Sequence, residues 1–184
     1  EYSEEFDQSG WSTVQSSVNP NSAPAPGGSS TADLLVENTA TSSHYITAST
    51  SSAATGAMTL SVYAKAGGAR YLRIVLADVG LTSGNRCYTT FDLQDGLVAT
   101  PLSIGGSNLS ASIVPSGDGW YRCVLTGDIG NTNSTYNVGF ALNNTFSVSS
   151  SLPSYTGDGT SGIYLWGAQL EESSTATRYV KSDV

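Results

Sequence analysis

Charged side chains and histidine are scarce in this sequence, and their scarcity argues against several classes of protein. Lys and Arg total 7 against 15 Asp and Glu, so the formal net charge at pH 7 is -8. An acidic surface repels phosphate backbones and anionic lipid headgroups, which argues against nucleic acid and membrane partners. Because His44 is the single histidine, a zinc site built on a histidine cluster is excluded.

Cysteines and long apolar runs are also scarce. Cys87 and Cys123 are too few for a disulfide framework and match no zinc motif. A disulfide between them would need Cα atoms within about 7 Å, and two buried thiols fit the sequence equally well. No run approaches the ~20 apolar residues of a membrane helix, and no secretory signal is evident. Because the chain starts at Glu1 rather than Met, we expect a mature form or part of a longer polypeptide.

Aromatic and small residues are abundant and predict an all-β protein. The 184 residues include 10 Tyr, 4 Phe, 3 Trp and 20 Gly, and 39% are apolar, which is enough for one core and predicts a single domain over residues 1–184. Helical periodicity is nearly absent, whereas apolar residues alternate with period two between turns rich in Gly, Pro, Asn and Asp. Short strands at this spacing predict an antiparallel two-sheet β-sandwich, and we favour a jelly roll.

Five alternating runs predict which residues face the core of this sandwich. Turns are predicted at Gly67-Gly68, at Asp95-Gly96 and at residues 116–119. The run 163–170 is apolar enough to be buried on both faces or to pair as a central strand. The Pro-rich residues 19–30 are predicted to be a long loop that leads into a strand at 32–37. The predicted inward residues are Leu60, Val62 and Ala64; Leu72, Ile74 and Leu76; Cys87, Thr89, Phe91 and Leu93; Tyr121, Cys123 and Leu125; and Tyr136, Val138, Phe140 and Leu142.

The residues that alternate with the inward set form the candidate binding site. If their strands lie side by side in one sheet, they share one solvent-facing surface. Sugar rings stack their C–H faces on aromatic rings, and sugar hydroxyls need planar donors and acceptors such as Arg and Asp, so this mixture suits a glycan. The members are Tyr63, Lys65, Tyr71, Arg73, Arg86, Tyr88, Asp92, Trp120 and Arg122.

A structural interpretation of the same residues stays open. Tyr63 and Tyr88 are equally compatible with ordinary cross-strand pairs, and Arg73 and Arg122 with ion pairs to Asp92 on a solvated face.

Three further aromatic or imidazole side chains are expected to lie outside the binding surface. Trp166 is more typical of the core than of a binding surface. Trp11 is expected to pack against the end of the sandwich. His44 lies in a polar stretch and is expected on an exposed loop.

Five sequence blocks resemble a known family. The chain is similar to the carbohydrate-binding-module-like β-sandwich domains of bacterial polysaccharide-degrading enzymes and of phage tail and tail-fibre proteins, whose shape is related to concanavalin A-like lectins. The resemblance implies a two-sheet sandwich that binds glycans or takes part in host adsorption, without catalysis of its own. The blocks are SSTADLLVEN (29–38), SVYAKAGGARYLRI (61–74), FDLQDGLV (91–98), GDGWYRCVLT (117–126) and SYTGDGTSGIYLWGAQLEESSTATRYV (154–180).

One departure from this family concerns calcium. Many such modules close with a strand whose paired Asp residues help to hold a structural calcium, whereas the comparable residues 165–168 here are Leu-Trp-Gly-Ala. No cofactor is therefore expected. Asp33 and Glu171 remain as two scattered oxygen ligands for a structural calcium.

The catalytic inventory is poor, and three hypotheses remain. A glycosidase needs two carboxylates across the scissile bond, but the candidate surface contains only Asp92, and adjacent Glu171 and Glu172 would point to opposite faces of a strand. The first hypothesis is a carbohydrate-binding module that targets a parent enzyme to a polysaccharide outside the cell. The second is a structural or host-adhesin domain of a phage tail, and the third is a jelly-roll lyase or hydrolase.

Overall fold

The computed structural model describes residues 3–52, 56–130 and 135–182. The regular secondary structure of these residues consists entirely of β-strands. None of the described residues forms a helix of the length and apolarity that a membrane span requires. The strands are β1 (Ser12–Val14), β2 (Ser16–Ala23), β3 (Ala32–Glu37), β4 (Thr41–Ser42), β5 (Tyr45–Ser51), β6 (Met58–Gly67), β7 (Tyr71–Ala77), β8 (Arg86–Asp92), β9 (Leu97–Val98), β10 (Leu102–Ile104), β11 (Ser107–Pro115), β12 (Tyr121–Asp128), β13 (Thr135–Asn143), β14 (Tyr155–Thr156) and β15 (Gly162–Glu171).

Two antiparallel sheets contain all the long strands of the described residues. Sheet A has the order β1-β5-β13-β7-β8-β10, with β9 also paired to β8, and sheet B has the order β11-β12-β6-β15-β3-β2. The chain crosses repeatedly between the sheets, at β3 to β5, β5 to β6, β6 to β7, β8 to β11, β12 to β13 and β13 to β15, whereas β2 and β3, β7 and β8, and β11 and β12 are antiparallel neighbours within one sheet. This alternation is the connectivity of a jelly roll, so the predicted all-β jelly-roll sandwich is confirmed.

The core between the sheets consists largely of the residues predicted to face inward. Leu60 and Val62 from sheet B meet Leu72, Ile74 and Phe140 from sheet A, and all five side chains are fully buried. The predicted central position of residues 163–170 is confirmed, because β15 pairs with β3 on one side and β6 on the other.

The N-terminal segment packs against this core. The Trp11 ring lies 4.8 Å from the Phe6 ring and 5.7 Å from the Phe140 ring, measured between centroids. Trp11 therefore packs against the sandwich, as the sequence predicts.

Both cysteines are buried free thiols. Cys87 lies in β8 of sheet A and Cys123 in β12 of sheet B. Burial raises the pKa of Cys87 to about 12 and also raises that of Cys123 above its ordinary value. The thiols are therefore small core side chains and poor nucleophiles at neutral pH.

Two local predictions are wrong. The Pro-rich residues 19–30 are only partly a loop, because β2 extends to Ala23. This strand is the edge of sheet B, where Pro20 is tolerated, and its pairing with β3 is irregular between Asn19 and Ala23. His44 is not exposed: its side chain is fully buried, with Nδ1 2.7 Å from the Gln15 carbonyl oxygen and its ring against that of Tyr155.

A bulge in β15 sets the orientation of its second half. Trp166 pairs with Tyr63, but the next register pair is Gln169 with Ser61, so β15 carries one extra residue. Gly167 lies in the bulge with a φ of 62°, a left-handed conformation that favours glycine. Because of the extra residue, Trp166 and Gln169 both lie on the outer face of sheet B.

Candidate functional site

The nine predicted site residues do not share one surface. Tyr63, Lys65 and Arg122 lie on sheet B, and Trp120 lies in the turn before β12. The other five, Tyr71, Arg73, Arg86, Tyr88 and Asp92, lie on β7 and β8 of sheet A. The outer faces of two stacked sheets point in opposite directions, so the expected single surface is wrong. The cause is the link at residues 68–70 between β6 and β7. It has the length of a hairpin turn, which predicts that the two strands are neighbours in one sheet, but it connects sheet B to sheet A.

The outer face of sheet A is closed over its central residues. Arg73 is 1% exposed and Tyr88 is 6% exposed. The Arg73 guanidinium donates to the carbonyl oxygens of Ser147 and Ser150, and its Nε donates to Thr90 Oγ1 at 3.0 Å. Burial lowers the pKa of Arg73 to about 10. Residues 144–152 thus cover this face, and Arg73 and Tyr88 are inaccessible to a ligand.

Asp92 is also engaged by the protein itself. It is 2% exposed and makes an ion pair of 2.6 Å with Arg70. Burial raises the pKa of Asp92, but the hydrogen bonds from Arg70 and from the Gln94 and Asp95 amides outweigh burial and hold that pKa below its usual value. The predicted alternative of ion pairs from Arg73 or Arg122 to Asp92 is therefore wrong, because Arg70 is the partner. Tyr71 and Arg86 remain half-buried at the margins of this face.

The outer face of sheet B presents a row of side chains across four neighbouring strands. Val114 of β11 pairs with Arg122 of β12, Arg122 pairs with Tyr63 of β6, and Tyr63 pairs with Trp166 of β15. We call Val114, Arg122, Tyr63 and Trp166 the aromatic row. It crosses three interstrand spacings, about 14 Å. Lys65 of β6, two residues after Tyr63, pairs with Tyr164 of β15, two residues before Trp166, on the same face.

Contacts within the aromatic row fix its ring orientations. The Tyr63 and Trp166 rings lie 5.5 Å apart at an interplanar angle of 61°, and the Arg122 guanidinium carbon lies 5.7 Å from the centre of the Tyr63 ring. Arg122 Nη2 donates to Ser61 Oγ at 3.0 Å, and Trp166 Nε1 donates to Thr31 Oγ1 at 3.1 Å. Tyr63, Arg122 and Trp166 are all half-buried, so each presents part of its side chain to solvent.

The two tryptophans of this sheet differ from expectation. Trp166 lies outside the inter-sheet core, on the solvent side of sheet B, so the core interpretation is wrong. Trp120 is buried against Ala25 and Ala32, and its Nε1 donates to the Pro24 carbonyl oxygen at 3.1 Å. Trp120 therefore supports the loop at 24–31 and is not part of the accessible surface.

The C-terminal residues 177–182 lie over one end of the aromatic row, and we call them the strap. The Tyr179 ring lies 4.7 Å from the Trp166 ring and 6.2 Å from the Tyr63 ring. The Val180 amide donates to Gln169 Oε1 at 2.8 Å. The predicted site residues do not include Tyr164, Gln169 or Tyr179. Alternation in β15 places Tyr164 beside Trp166, but nothing in the sequence pattern points to Tyr179.

Glu171 ties the start of the strap to β15. The Thr177 amide donates to the Glu171 carboxylate at 3.1 Å. Burial raises the pKa of Glu171, but hydrogen bonds from Thr177 and Gln169, together with the charge of Arg122, outweigh burial and lower that pKa. The ionised carboxylate therefore favours the bound strap.

The two carboxylates considered for calcium do not converge. Asp33 pairs with Leu165, six residues before Glu171 along β15, which corresponds to roughly 20 Å. The Asp33 oxygens accept the Phe6 and Asn21 amides at 2.7 and 2.8 Å. Within residues 3–52, 56–130 and 135–182, no group of three or more His, Cys, Asp or Glu side chains is placed to hold a metal.

A cavity of about 200 Å³ opens beside the strap. Leu60, Val138 and Leu170 line its apolar floor, and Trp11 and Thr50 stand among the residues around it. None of the described residues that line it is ionisable, so a ligand there would be neutral. At this volume the cavity admits only a small part of a sugar chain.

Comparisons with known proteins give structural neighbours only. No protein-family model and no curated protein matches the sequence. The enzymatically active domain of tailspike protein 4 from bacteriophage CBA120 is 17% identical, with a TM-score of 0.48 over 91% of this chain and 20% of its own length. TmCBM61, solved in complex with β-1,4-galactotriose, is 9% identical, with a TM-score of 0.46 over 91% of this chain and 94% of its own. This chain thus spans about one fifth of the tailspike chain, and the likeness to both concerns the fold alone.

Proposed function

We propose that this chain is a non-catalytic domain that binds a polysaccharide or cell-surface glycan on the outer face of sheet B. The observation that carries the proposal is the aromatic row, in which half-exposed rings and a guanidinium lie in register on neighbouring strands. The domain would belong to a larger polypeptide that it targets to the glycan, at a cell exterior or on a virion tail.

The chemistry of this face suits a glycan for three reasons. The Tyr63, Tyr164 and Trp166 rings offer apolar faces for the C–H surfaces of sugar rings. Arg122 and Lys65, two of only 7 basic residues in the chain, offer hydrogen bonds to hydroxyls or to acidic sugar groups. Because the side chains stand on paired strands, they are held in place before binding, which lowers the entropic cost of association.

The distribution of carboxylates supports binding over chemistry. On the positions of β6, β12 and β15 that face outward with the aromatic row, the described carboxylates are Glu171 and Asp128. Thr177 already donates to Glu171, and Asp128 accepts the Gly130 amide at 3.0 Å, six residues and roughly 20 Å along β12 from Arg122. Glycoside hydrolysis requires two carboxylates on either side of the scissile bond. Sugar binding needs only rings and hydrogen-bonding groups.

A second candidate function is assembly, as in a structural domain of a phage tail. Three aliphatic side chains at one edge of sheet A favour it: Leu97, Leu102 and Ile104 are 51%, 42% and 47% exposed. Because β10 ends the strand order of sheet A, its backbone can pair with another chain. Light scattering separates the two functions, because a monomer that binds a glycan excludes a role that depends on self-assembly.

Affinity gel electrophoresis through agar, alginate, xylan and carrageenan tests the proposed function and compares the two sheets. Tyr63→Ala and Arg122→Met remove a ring and a cation from sheet B. Tyr71→Ala and Arg86→Met are the matched changes on sheet A. We expect each sheet B variant to weaken binding to at least one polysaccharide by roughly three- to tenfold, the range of one ring contact or charged hydrogen bond.

The control variants give the opposite expectation. Tyr71→Ala and Arg86→Met should bind as the wild type does, and so should Ala48→Phe, which narrows the cavity beside Trp11. Reducing-end and unsaturated-product assays should show no turnover. Loss of binding confined to the sheet A variants would move the site to that sheet, loss with Ala48→Phe would move it to the cavity, and measurable product would make the chain an enzyme.

A further inference from the structure

The Tyr179 ring packs against two rings of the aromatic row. It lies 4.7 Å from that of Trp166 at an interplanar angle of 56° and packs edge-on against Tyr63. A Cβ added at Gly167 would lie 3.2 Å from both the Tyr179 ring and the Tyr63 ring, so the glycine of the bulge permits this close approach. Tyr179 thus covers the β15 end of the aromatic row.

The strap lies outside the strands β1 to β15. The amides of Thr177, Val180 and Ser182 donate to the side chains of Glu171, Gln169 and Ser3, at 3.1, 2.8 and 3.2 Å. The side chain of Val180 is 70% exposed. A segment fixed to the sheet through side chains, with little apolar surface buried beyond one ring, opens at a lower free energy than the core strands do.

The polar end of Tyr179 is anchored to the N-terminal segment. Its hydroxyl donates to Glu4 Oε1 at 3.0 Å and lies 2.8 Å from Ser3 Oγ, while Lys181 makes an ion pair of 3.1 Å with Glu4. These contacts lie at one side of the row, away from Arg122 and Val114. The strap can therefore detach as a unit without breaking pairs of either sheet.

We propose that the strap is a displaceable cover of the glycan site. In the closed state the Tyr179 ring occupies the position on Trp166 that a sugar ring takes when the glycan binds. The inference rests on the proposed function of sheet B. With the strap closed, the site next to Arg122 and Lys65 is open but the Trp166 ring is covered. Binding across the whole row then requires the strap to open, so the apparent affinity is the intrinsic affinity multiplied by the open fraction.

Tyr179→Ala in the full chain tests the cover, with Val180→Ala as the matched control on the neighbouring, exposed residue. The measurement is retardation in gels that contain agar, alginate, xylan or carrageenan, followed by calorimetry with the polysaccharide that retards most. We expect Tyr179→Ala to raise the affinity by roughly two- to tenfold, the strength of one ring contact, and Val180→Ala to leave it unchanged. Tyr179→Phe, which keeps the ring and loses the hydroxyl, should fall between them.

Hydrogen exchange gives a second measurement. On addition of the retarding polysaccharide to the wild type, the Thr177 and Val180 amides should lose protection while the strand amides of β6 and β12 keep theirs. Weaker or equal binding by Tyr179→Ala would overturn the cover and make Tyr179 part of the binding platform or a bystander, with the proposed function intact. If neither the wild type nor Tyr179→Ala binds any of the four polysaccharides, both the cover and the proposed function fail.

Discussion

Each outer face of the sandwich carries an arginine over a tyrosine, and the two pairs differ in what covers them. On sheet A, the Arg73 guanidinium carbon lies 5.4 Å from the centre of the Tyr88 ring beneath residues 144–152. On sheet B, the Arg122 guanidinium carbon lies 5.7 Å from the centre of the Tyr63 ring and remains half-exposed. The same pair of side chains therefore holds a covering loop in place on sheet A and is accessible to a ligand on sheet B.

The hydrogen bonds of the two arginines explain the difference. Arg73 donates to two loop carbonyls and to Thr90, and it makes no ion pair with a described residue. A buried cation in that state is tolerated because its donors are satisfied. Arg122 donates to Ser61 and keeps solvent contact, so it can exchange water for ligand at lower cost.

The largest expected effect comes from removing the buried arginine. Arg73→Met keeps much of the aliphatic volume but leaves the Ser147 and Ser150 carbonyls without their donor. We expect a loss of about 2–4 kcal/mol in the free energy of unfolding, the range for breaking a buried hydrogen-bond network. Urea unfolding measures the loss. A change below about 1 kcal/mol would show that residues 144–152 close the face without Arg73.

The alternation of side chains made the strands and their inward faces predictable. Period two in the stretches that became β6, β7, β8, β12 and β13 placed Leu60, Ile74 and Phe140 in the core, because burial of one face dictates that pattern. Asp95-Gly96 and the glycines near Trp120 marked turns because glycine readily adopts the positive φ that these turns require. Local sequence therefore carried most of the fold.

The sheet to which each strand belongs was not locally encoded. The link at residues 68–70 joins Tyr63 and Lys65 on one sheet to Tyr71 and Arg73 on the other. Inward residues stay inward across such a link, but outward residues point to opposite sides of the molecule. The covering of Arg73 by residues 144–152, and of Trp166 by Tyr179, depends on contacts between distant segments that periodicity does not record.

Acid pH provides a second test of the closed face, through Asp92. Its folded pKa lies below its ordinary value, so its contribution to stability is present above the unfolded pKa of about 3.9 and is lost as pH falls through the folded pKa. Asp92→Asn should therefore cost about 1–3 kcal/mol at pH 7, the range for lost hydrogen bonds to a charged group, and less at pH 2, toward which the wild type loses this contribution. Urea unfolding at both pH values measures the difference.

This test compares Asp92→Asn with the wild type at each pH, because the titration of Asp33 changes the free energy of unfolding in the opposite direction to that of Asp92. Burial raises its pKa above the ordinary value, so protonation of Asp33 increases stability as pH falls through the folded pKa. The difference between Asp92→Asn and the wild type cancels that contribution. A pH-independent difference would mean that the charge of Asp92 is not what stabilises the turn at residues 92–96.

The smallest expected change in stability is that of Arg122→Met, and it completes the comparison with Arg73→Met. The methionine keeps the aliphatic contact with Tyr63, and the hydrogen bond lost to Ser61 is partly replaced by water, so we expect a cost below about 1 kcal/mol. Because the same variant is expected to weaken glycan binding, a small stability cost would separate a contact residue from a structural one. Urea unfolding of the two methionine variants side by side measures this. A loss equal to that of Arg73→Met would mean that Arg122 also fastens the fold, and weaker binding by this variant would then no longer locate the site on sheet B.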